Sequence, residues 1–167
     1  MKKIFAIVAL FTLSLVATQS FGQMSVDKGT KFVNLGIGLG GSFFYGSALG
    51  FNVGADFGVA KNITVGGAAG FRSFGDGIGG FDIGARGSYH FNELLSTPET
   101  VDLYAGLGLS YFSFTGLNGL GATNTGTTYF PFHLGGRYFF SEKLGGFAEL
   151  GSALSTLKLG VTFKLGQ

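Results

Sequence analysis

The chain has 167 residues, of which 32 are glycine, 20 are phenylalanine and 46% are hydrophobic, and this length suits one domain. The high apolar content excludes a disordered chain, the lack of a Gly-X-Y period excludes collagen, and the lack of cysteine excludes disulfides and thiolate metal sites. A formal net charge of +2 offers no strongly basic surface, so we expect no nucleic-acid partner.

The first predicted element is a signal peptide over residues 1–22. Two lysines precede an apolar run over residues 4–16, which is too short to span a bilayer comfortably as a helix. Small residues just before Gln23 fit a cleavage site there, while a retained anchor helix is the alternative. Cleavage removes the two lysines and no acid, which leaves nine basic residues against nine acidic ones. We expect a short periplasmic segment over residues 23–30 to follow.

Residues 31–165 alternate apolar residues with glycine or polar residues throughout. Phe51 and Phe57 share one parity, for example, while Asn52 and Asp56 share the other. Successive side chains of a strand point to opposite faces, so the pattern predicts strands with one apolar face and one small, polar face. Eight such strands, each near the ~9–11 residues that cross a bilayer at a tilt, are predicted over residues 31–40, 48–60, 63–74, 81–91, 101–112, 129–140, 146–153 and 157–165.

We interpret residues 31–167 as an all-β fold, an eight-stranded antiparallel up-and-down transmembrane β-barrel whose apolar faces point outward into lipid. No helix is expected between the strands. A soluble lipocalin-like barrel is the alternative, but it would place large apolar residues inside and charge outside. Aromatic residues near both ends of the strands, Phe114 and Tyr129 among them, predict two interfacial belts, unless phenylalanine is present only as a good strand former.

The connections between the strands alternate in length. Short turns are predicted at residues 60–62 and 141–143, on the periplasmic side, together with a longer turn over residues 92–100. The opposite end carries loops rich in glycine, serine and threonine. Two of these loops, 42–47 and 115–128, are the predicted contact surface for an extracellular partner.

Charged residues of the strands fall mainly on the inward parity. Because an unpaired charge in a narrow interior is costly, we predict that opposite charges pair across the lumen. Asp102 and Lys164 are expected to be solvated at the periplasmic mouth. An eight-stranded barrel has little room for a channel, so we expect the charges to plug the lumen, with a narrow polar path as the alternative. The predicted lumen charge network consists of Asp56, Arg72, Asp82, Arg86, Arg137, Glu149 and Lys158.

Enzyme chemistry has little support in the sequence, and we predict no catalytic residue, no metal and no cofactor. Asp82, Ser88 and His90 carry the groups of a hydrolase triad. Along one strand face, however, side chains are ~7 Å apart for every two positions, which is too far for the hydrogen bonds of a triad. His90 and His133 have no third ligand beside them, and two histidines alone do not make a zinc site.

Four segments carry a family resemblance. They are Tyr-His-Phe-Asn from Tyr89, the strand from Val101 to Tyr111, Tyr-Phe-Phe-Ser-Glu-Lys from Tyr138, and Gly-Phe-Ala-Glu-Leu-Gly from Gly146. Together with the signal peptide they resemble the porin-family outer-membrane β-barrel domain, small barrels of the OmpX, OmpW and OmpA-barrel kind in Gram-negative bacteria. The resemblance implies an outer-membrane protein that is surrounded by lipid and inserted by the barrel assembly machinery. It implies a structural or surface-interaction role without enzyme activity, with a narrow porin-like channel for small solutes as the alternative.

Overall fold

Nine strands and one helical turn make up the regular structure of the described residues, which are 24–40, 49–75, 78–115, 126–153 and 155–165 of the computed structural model. The predicted signal peptide, loop 42–47 and most of loop 115–128 lie outside these ranges. Within them, no helix has the length and apolar character needed to span a membrane. In chain order the elements are β1 (Lys31–Leu39), β2 (Gly50–Ala60), β3 (Ile63–Gly75), β4 (Ile78–His90), α1 (Asn92–Leu95), β5 (Val101–Thr115), β6 (Gly126–Tyr129), β7 (Phe132–Phe139), β8 (Leu144–Gly151) and β9 (Leu157–Lys164).

The strands form one closed antiparallel sheet. In β1, Leu35 pairs with Val53 of β2 on one side and with Val161 of β9 on the other. β4 and β5 pair at Ala85 and Leu109, which joins the two halves of the sheet and closes the barrel. β6 and β7 both pair with β5, so they share one position in the wall. The prediction of an eight-stranded antiparallel barrel is therefore confirmed.

The predicted sixth strand, over residues 129–140, is divided at Pro131 into β6 and β7. Proline has no N–H and cannot donate to the ladder, but its carbonyl accepts a hydrogen bond from the backbone N–H of Gly108 at 2.8 Å. Pairing with β5 continues on both sides of this break. β5 ends later and β6 begins earlier than predicted, so the first residue of the predicted loop 115–128 belongs to β5 and its last three belong to β6.

Two other strands start earlier than predicted. β4 begins at Ile78 rather than at residue 81, and β8 covers Leu144–Gly151 rather than residues 146–153. Alternation of apolar and polar residues identifies the faces of a strand, but it does not mark where pairing with a neighbour begins. These boundaries follow from the register with β3 and β7, which the alternation does not contain.

The helical turn α1 lies inside the predicted turn over residues 92–100, where no helix was expected. The side chain of Asn92 explains its position, because Oδ1 accepts a hydrogen bond from the backbone N–H of Leu103 at 2.8 Å. Ser96 follows in the left-handed conformation, with a φ of 50°, which ends the helix. The turn therefore packs against the start of β5.

Apolar side chains cover the outward faces of the strands around the barrel. Phe51, Ile83 and Leu107 are 66%, 57% and 69% exposed, whereas Asp56 and Arg137 are buried inside. A continuous apolar surface is unfavourable in water and suits hydrocarbon, in which a closed barrel satisfies its backbone hydrogen bonds internally. The observed faces are those that the alternation predicted, and they are opposite to those of a lipocalin-like barrel.

Aromatic side chains gather at the lower end of the barrel, the end at which β1 begins and β9 ends. Tyr89 and Phe91 meet edge to face with their ring centroids 5.1 Å apart, and Tyr138 and Phe140 do so at 5.6 Å. Tyr89, Tyr138 and Phe140 are exposed on the outside of the wall. This arrangement is typical of an interfacial belt.

Two aromatic residues expected in the belt at the opposite, upper end lie on the inward face instead. The Tyr129 hydroxyl donates to Asp82 Oδ2 at 2.9 Å. Phe114 packs edge to face against the buried Phe112, with ring centroids 4.9 Å apart. Both residues are near a strand end, but the parity of a residue decides its face, whatever its height in the membrane.

Residues 24–30 lie across the lower end of the lumen. Met24 and Val26 are buried with Phe32 and Phe139 in an apolar cluster. Backbone hydrogen bonds of 2.7 and 2.8 Å tie this segment to β2 and to the turn that follows it. The segment expected as a periplasmic extension thus covers the lower mouth of the barrel.

Candidate functional site

Six charged side chains form one connected cluster inside the barrel, which we call the lumen network. They come from β2, β4, β5, β7, β8 and β9, because closure of the sheet turns the inward faces of distant strands toward one another. The members are Asp56, Arg86, Asp102, Arg137, Glu149 and Lys158.

Arg86 joins two carboxylates from opposite sides of the lumen. Its Nε and Nη2 donate to the two carboxylate oxygens of Asp56 at 2.8 and 3.1 Å, which is a bidentate pair. Its Nη1 donates to Glu149 Oε2 at 2.8 Å. Lys158 Nζ donates to the other oxygen of Glu149 at 2.9 Å. β2, β4, β8 and β9 are thereby linked through one arginine.

Arg137 extends the network toward the lower end. Its Nη2 donates to Asp56 Oδ2 and its Nη1 to Asp102 Oδ2, both at 2.6 Å. The guanidinium carbon lies 4.3 Å from the ring centroid of Phe32 and 4.2 Å from that of Tyr104. The cation is therefore held by hydrogen bonds to two carboxylates and by cation–π contacts with two aromatic rings.

The charges of the lumen network cancel, since three carboxylates meet two guanidinium groups and one ammonium group. The side chains of Arg137 and Asp102 are fully buried, and even that of Lys158 is only 14% exposed. An isolated charge in such a place costs several kcal/mol, and this cost is offset when each charge has an opposite partner and hydrogen bonds. Removing one member would leave a net charge buried among the remaining members.

Tyr104 lies at the centre of the network, and a glycine makes room for it. The Tyr104 hydroxyl donates to Glu149 Oε2 at 3.1 Å. Its ring lies directly over Gly135, where a Cβ would overlap the ring atoms. A glycine on the inward face of β7 thus leaves the space that the long side chain of Tyr104 occupies.

The seven residues of the predicted charge network do not all meet. Arg72 lies at the upper end, where its Nη2 donates to the carbonyl of Gly40 and, at 2.9 Å, to Ser155 Oγ. Asp82 accepts the Tyr129 hydroxyl. Five predicted residues are joined by ion pairs: Asp56, Arg86, Arg137, Glu149 and Lys158.

The expectation that Asp102 is solvated at the periplasmic mouth is wrong. Its side chain is fully buried, and besides Arg137 it accepts a hydrogen bond from Asn92 Nδ2 at 2.8 Å. The reason is that α1 and residues 24–30 cover this end of the barrel. Lys164, expected beside it, is partly buried, and its Nζ lies 4.0 Å from Met24 Sδ.

A second arrangement that sequence reasoning missed joins a hydroxyl, an imidazole and a carboxylate. Thr64 Oγ1 lies 3.0 Å from His90 Nε2, and His90 Nδ1 lies 2.6 Å from Asp102 Oδ1. The three residues belong to β3, β4 and β5, so a search along one strand does not find them. All three are fully buried. The arrangement has the connectivity of a hydrolase triad, but no side chain of it reaches the surface.

His133 makes a similar contact, with Nε2 2.8 Å from Ser88 Oγ. His90 thus binds a hydroxyl and a carboxylate of the two adjacent strands, whereas His133 on β7 reaches a hydroxyl on β4, beyond the intervening β5. Across the described ranges, no group of three or more histidine, aspartate or glutamate residues is placed to hold a metal ion.

An exposed ion pair fastens the lower turns to each other. Lys61 Nζ donates to Glu93 Oε1 at 2.8 Å, and Asn62 Nδ2 donates to Glu93 Oε2 at 3.0 Å. The hydrogen bond between Lys61 and Glu93 raises the pKa of Lys61 and lowers the pKa of Glu93. Both groups are solvated, so the pair orients α1 more than it stabilises the barrel.

Comparison with known proteins identifies the fold. No protein-family model and no curated protein sequence matches the chain. Among solved structures, a designed transmembrane β-barrel aligns with 85% of this chain and 100% of its own, at 18% identity and a TM-score of 0.59. The N-terminal barrel domain of OprF from Pseudomonas aeruginosa aligns with 83% of this chain and 98% of its own, at 18% identity and a TM-score of 0.59.

The outer membrane protein OprG from Pseudomonas aeruginosa is also similar, at 12% identity and a TM-score of 0.58, over 84% of this chain and 98% of its own. The chain has the fold of a small transmembrane β-barrel. At these identities the likeness concerns the fold alone. An outer-membrane location, expected from the sequence, agrees with these neighbours and with the apolar outer wall.

Proposed function

We propose that this protein is an integral outer-membrane β-barrel with a non-enzymatic, structural or surface-interaction role, and that its lumen is closed. The observation that carries the proposal is the lumen network, six charges of zero net sum that bridge strands from all sides of the barrel. An arrangement in which each charge is paired and buried favours a rigid interior over a path for solutes.

Two further features support a closed lumen. The apolar cluster of Met24, Val26, Phe32 and Phe139 lies across the lower mouth. A cavity beside the network, lined by Arg86, Glu149 and Lys158 together with Asn52 and apolar residues, has a volume of about 20 Å³, which is room for about one water molecule. The lower end of the network is thus closed by packed side chains, and the cavity beside Asn52 leaves little free space next to the network.

The proposed absence of enzyme activity rests on the burial of the candidate catalytic groups, which a substrate cannot reach. A hydrolase needs its hydroxyl nucleophile open to a substrate carbonyl. Thr64, His90 and Asp102 have the required connectivity but are fully buried under the wall and under α1. Their arrangement is better suited to tying β3, β4 and β5 together than to catalysis.

The proposed partners follow from the two surfaces of the barrel. Lipid of the outer membrane covers the apolar wall, and the barrel assembly machinery inserts the chain. Loops 42–47 and 115–128 are rich in glycine, serine, threonine and asparagine, or in aromatic residues, and offer adaptable hydrogen bonds to an extracellular partner.

Complementation of a deletion strain tests which of the two roles applies. One arm supplies the full chain, and a second supplies a barrel in which residues 116–125 are replaced by a short Gly-Ser turn. A structural role predicts that both arms restore resistance to detergent and exclusion of a hydrophobic dye. A surface role predicts that only the full chain restores binding to host or neighbouring cells. If neither property changes on deletion or complementation, the proposal is contradicted.

A narrow channel for small solutes remains the second candidate, because polar side chains also line the lumen above the network. Asn52, Asp82 and Arg72 lie there on the inward faces of β2, β4 and β3. Conduction would require the ion pairs of Arg86 and Glu149 to open, so conductance distinguishes the two candidates.

A further inference from the structure

Arg72 is a buried cation whose donors are mostly unused. Arginine has five N–H bonds, and the two on Nη2 account for the hydrogen bonds to Gly40 and Ser155. The other three, on Nε and Nη1, are buried and have no hydrogen-bond partner among the described residues. Buried polar groups in folded proteins are almost always satisfied, so three unused donors on one side chain point to a missing acceptor.

A second unused donor lies in the same part of the lumen. The Nδ2 group of Asn52 is buried and has no acceptor within the described part of the chain. Asn52 faces Gly70 across the β2–β3 ladder, and Arg72 is the next inward residue on β3. Ser155 and Arg72 both lie close to the inward side of Gly50. A Cβ built on Gly50 would lie 3.5 Å from Ser155 Oγ and 3.6 Å from Arg72 Cβ.

Arg72 also has no ion-pair partner among the described residues, and Asp82 attracts its charge only from a longer distance. No carboxylate of the described residues lies within 4.0 Å of its guanidinium group. Asp82, on the adjacent strand, accepts the Tyr129 hydroxyl, and Lys158 is paired with Glu149. Water would satisfy the free N–H groups but would leave the buried charge without a counterion. An anion would satisfy both.

We propose that Arg72, Asn52 and Ser155 form a binding site for an oxyanion of the phosphate class at the upper mouth of the barrel. Guanidinium groups bind phosphate oxygens through directed, charge-assisted hydrogen bonds. Gly40 and Ser155 lie at the upper ends of strands, so the site lies above the ion pairs of the lumen network.

The source of the phosphate is either a free ion or a lipid headgroup, and the shared chemistry is the phosphate oxygen. The site does not depend on whether the lumen conducts, since it lies above the ion pairs. It also goes beyond the proposed structural role, because it gives the upper mouth a defined ligand.

The three arginines of the chain make the test specific. In ¹⁵N-labelled protein folded in an uncharged detergent, Arg72, Arg86 and Arg137 each give one Nε–H NMR signal. Titration with inorganic phosphate, against sodium chloride of equal ionic strength, is expected to shift the Arg72 signal saturably. The signals of Arg86 and Arg137 should not move, because carboxylates already occupy those side chains. Equal shifts of all three signals, or none of Arg72 with any phosphate probe, would overturn the proposal.

A parallel titration with short-chain phosphatidic acid in mixed micelles separates the two sources. A shift of Arg72 with the lipid alone assigns the site to a headgroup, and a shift with inorganic phosphate alone assigns it to a soluble ion. Shifts with both support the shared chemistry.

Variants locate the site. Asn52→Ala, followed at the Arg72 signal, and Arg72→Lys, followed at the Ser155 amide, should each weaken phosphate binding about tenfold, since about 1.4 kcal/mol is lost with a hydrogen bond to a charged group. Thr162→Val removes another buried, unpartnered hydroxyl away from the mouth and is the matched control, with unchanged binding. Folding is checked by heat-dependent gel migration, and if Arg72→Lys does not fold, Asn52→Ala decides. Unchanged binding in Asn52→Ala contradicts the site.

Discussion

The lower lumen and the upper mouth both contain buried arginines and carboxylates, but the partners of these side chains differ between the two regions. In the lower lumen Arg86 and Arg137 each meet two carboxylates, and aromatic rings cover Arg137. At the upper mouth the hydrogen bonds of Arg72 within the described ranges go to a carbonyl and a hydroxyl, while Asp82 accepts a hydrogen bond from a tyrosine. A charge on the inward parity is therefore not enough to make an ion pair, because the partner strand must supply an opposite charge at the same height.

Replacement of Arg137 by methionine should have the largest effect. The change leaves Asp56 and Asp102 without their shared cation in a buried place, and we expect a loss of about 3–5 kcal/mol of unfolding free energy. Urea unfolding in lipid vesicles, followed by gel migration, measures it. A loss below about 1 kcal/mol would mean that the lower and upper arginines do not differ.

Replacement of Leu107 by arginine tests the assignment of faces on which the comparison depends. Leu107 is 69% exposed on the outward face of β5, and an arginine there should cost about 2–4 kcal/mol if it lies at the bilayer midplane. Val59→Arg, on the outward face near the lower end of β2, is the matched control and should cost about 0–1 kcal/mol. Equal effects in the same unfolding assay would contradict the outward position of Leu107.

Replacement of Arg72 by methionine should change stability by less than about 1 kcal/mol when no phosphate is present. The two hydrogen bonds that are lost are offset because an unpaired buried charge is also removed. Comparison with Arg137→Met under the same conditions gives the difference between the two regions directly. A loss as large as that of Arg137→Met would indicate that Arg72 has a strong partner within the chain.

Replacement of Glu93 by glutamine should have the smallest effect. Because the pKa of Glu93 is lowered, any contribution of its pair with Lys61 is complete above the unfolded glutamate pKa of about 4.3 and is lost as the pH falls through the lower folded pKa. Since the pair is solvated, wild type and variant should unfold at the same urea concentration at pH 7. A resolvable difference at pH 7 that persists at pH 3 would assign Glu93 a role other than ion pairing.

The alternation of residues was sufficient to predict the barrel, its faces and its approximate strands, because a membrane barrel must present apolar residues to lipid at every second position. Alternation carries no register, however, and register decides which inward residues meet. Arg72 and Arg86 have the same parity and similar neighbours in sequence, yet only Arg86 lies level with two carboxylates. The division of the sixth strand at Pro131 likewise depends on its pairing with Gly108.

The contact of Thr64, His90 and Asp102 shows the same limit. These residues are 26 and 12 positions apart in the chain, and only the lengths of the turns between β3, β4 and β5 bring them together. The burial of Asp102 was missed because it depends on Asn92 and on residues 24–30, which alternation does not describe. The packing of α1 and residues 24–30 over the lower end, rather than the alternation within the strands, determines which side chains are buried there.

Single-channel conductance in a planar bilayer tests the proposed closed lumen most directly. The folded wild-type protein is added, and its insertion is verified by protection from protease. We predict a silent bilayer for wild type, because the lumen network and the apolar cluster of Met24, Val26, Phe32 and Phe139 both close the lumen. Discrete, reproducible steps from the wild-type barrel would contradict the account and would make Arg86 and Glu149 part of a conducting path.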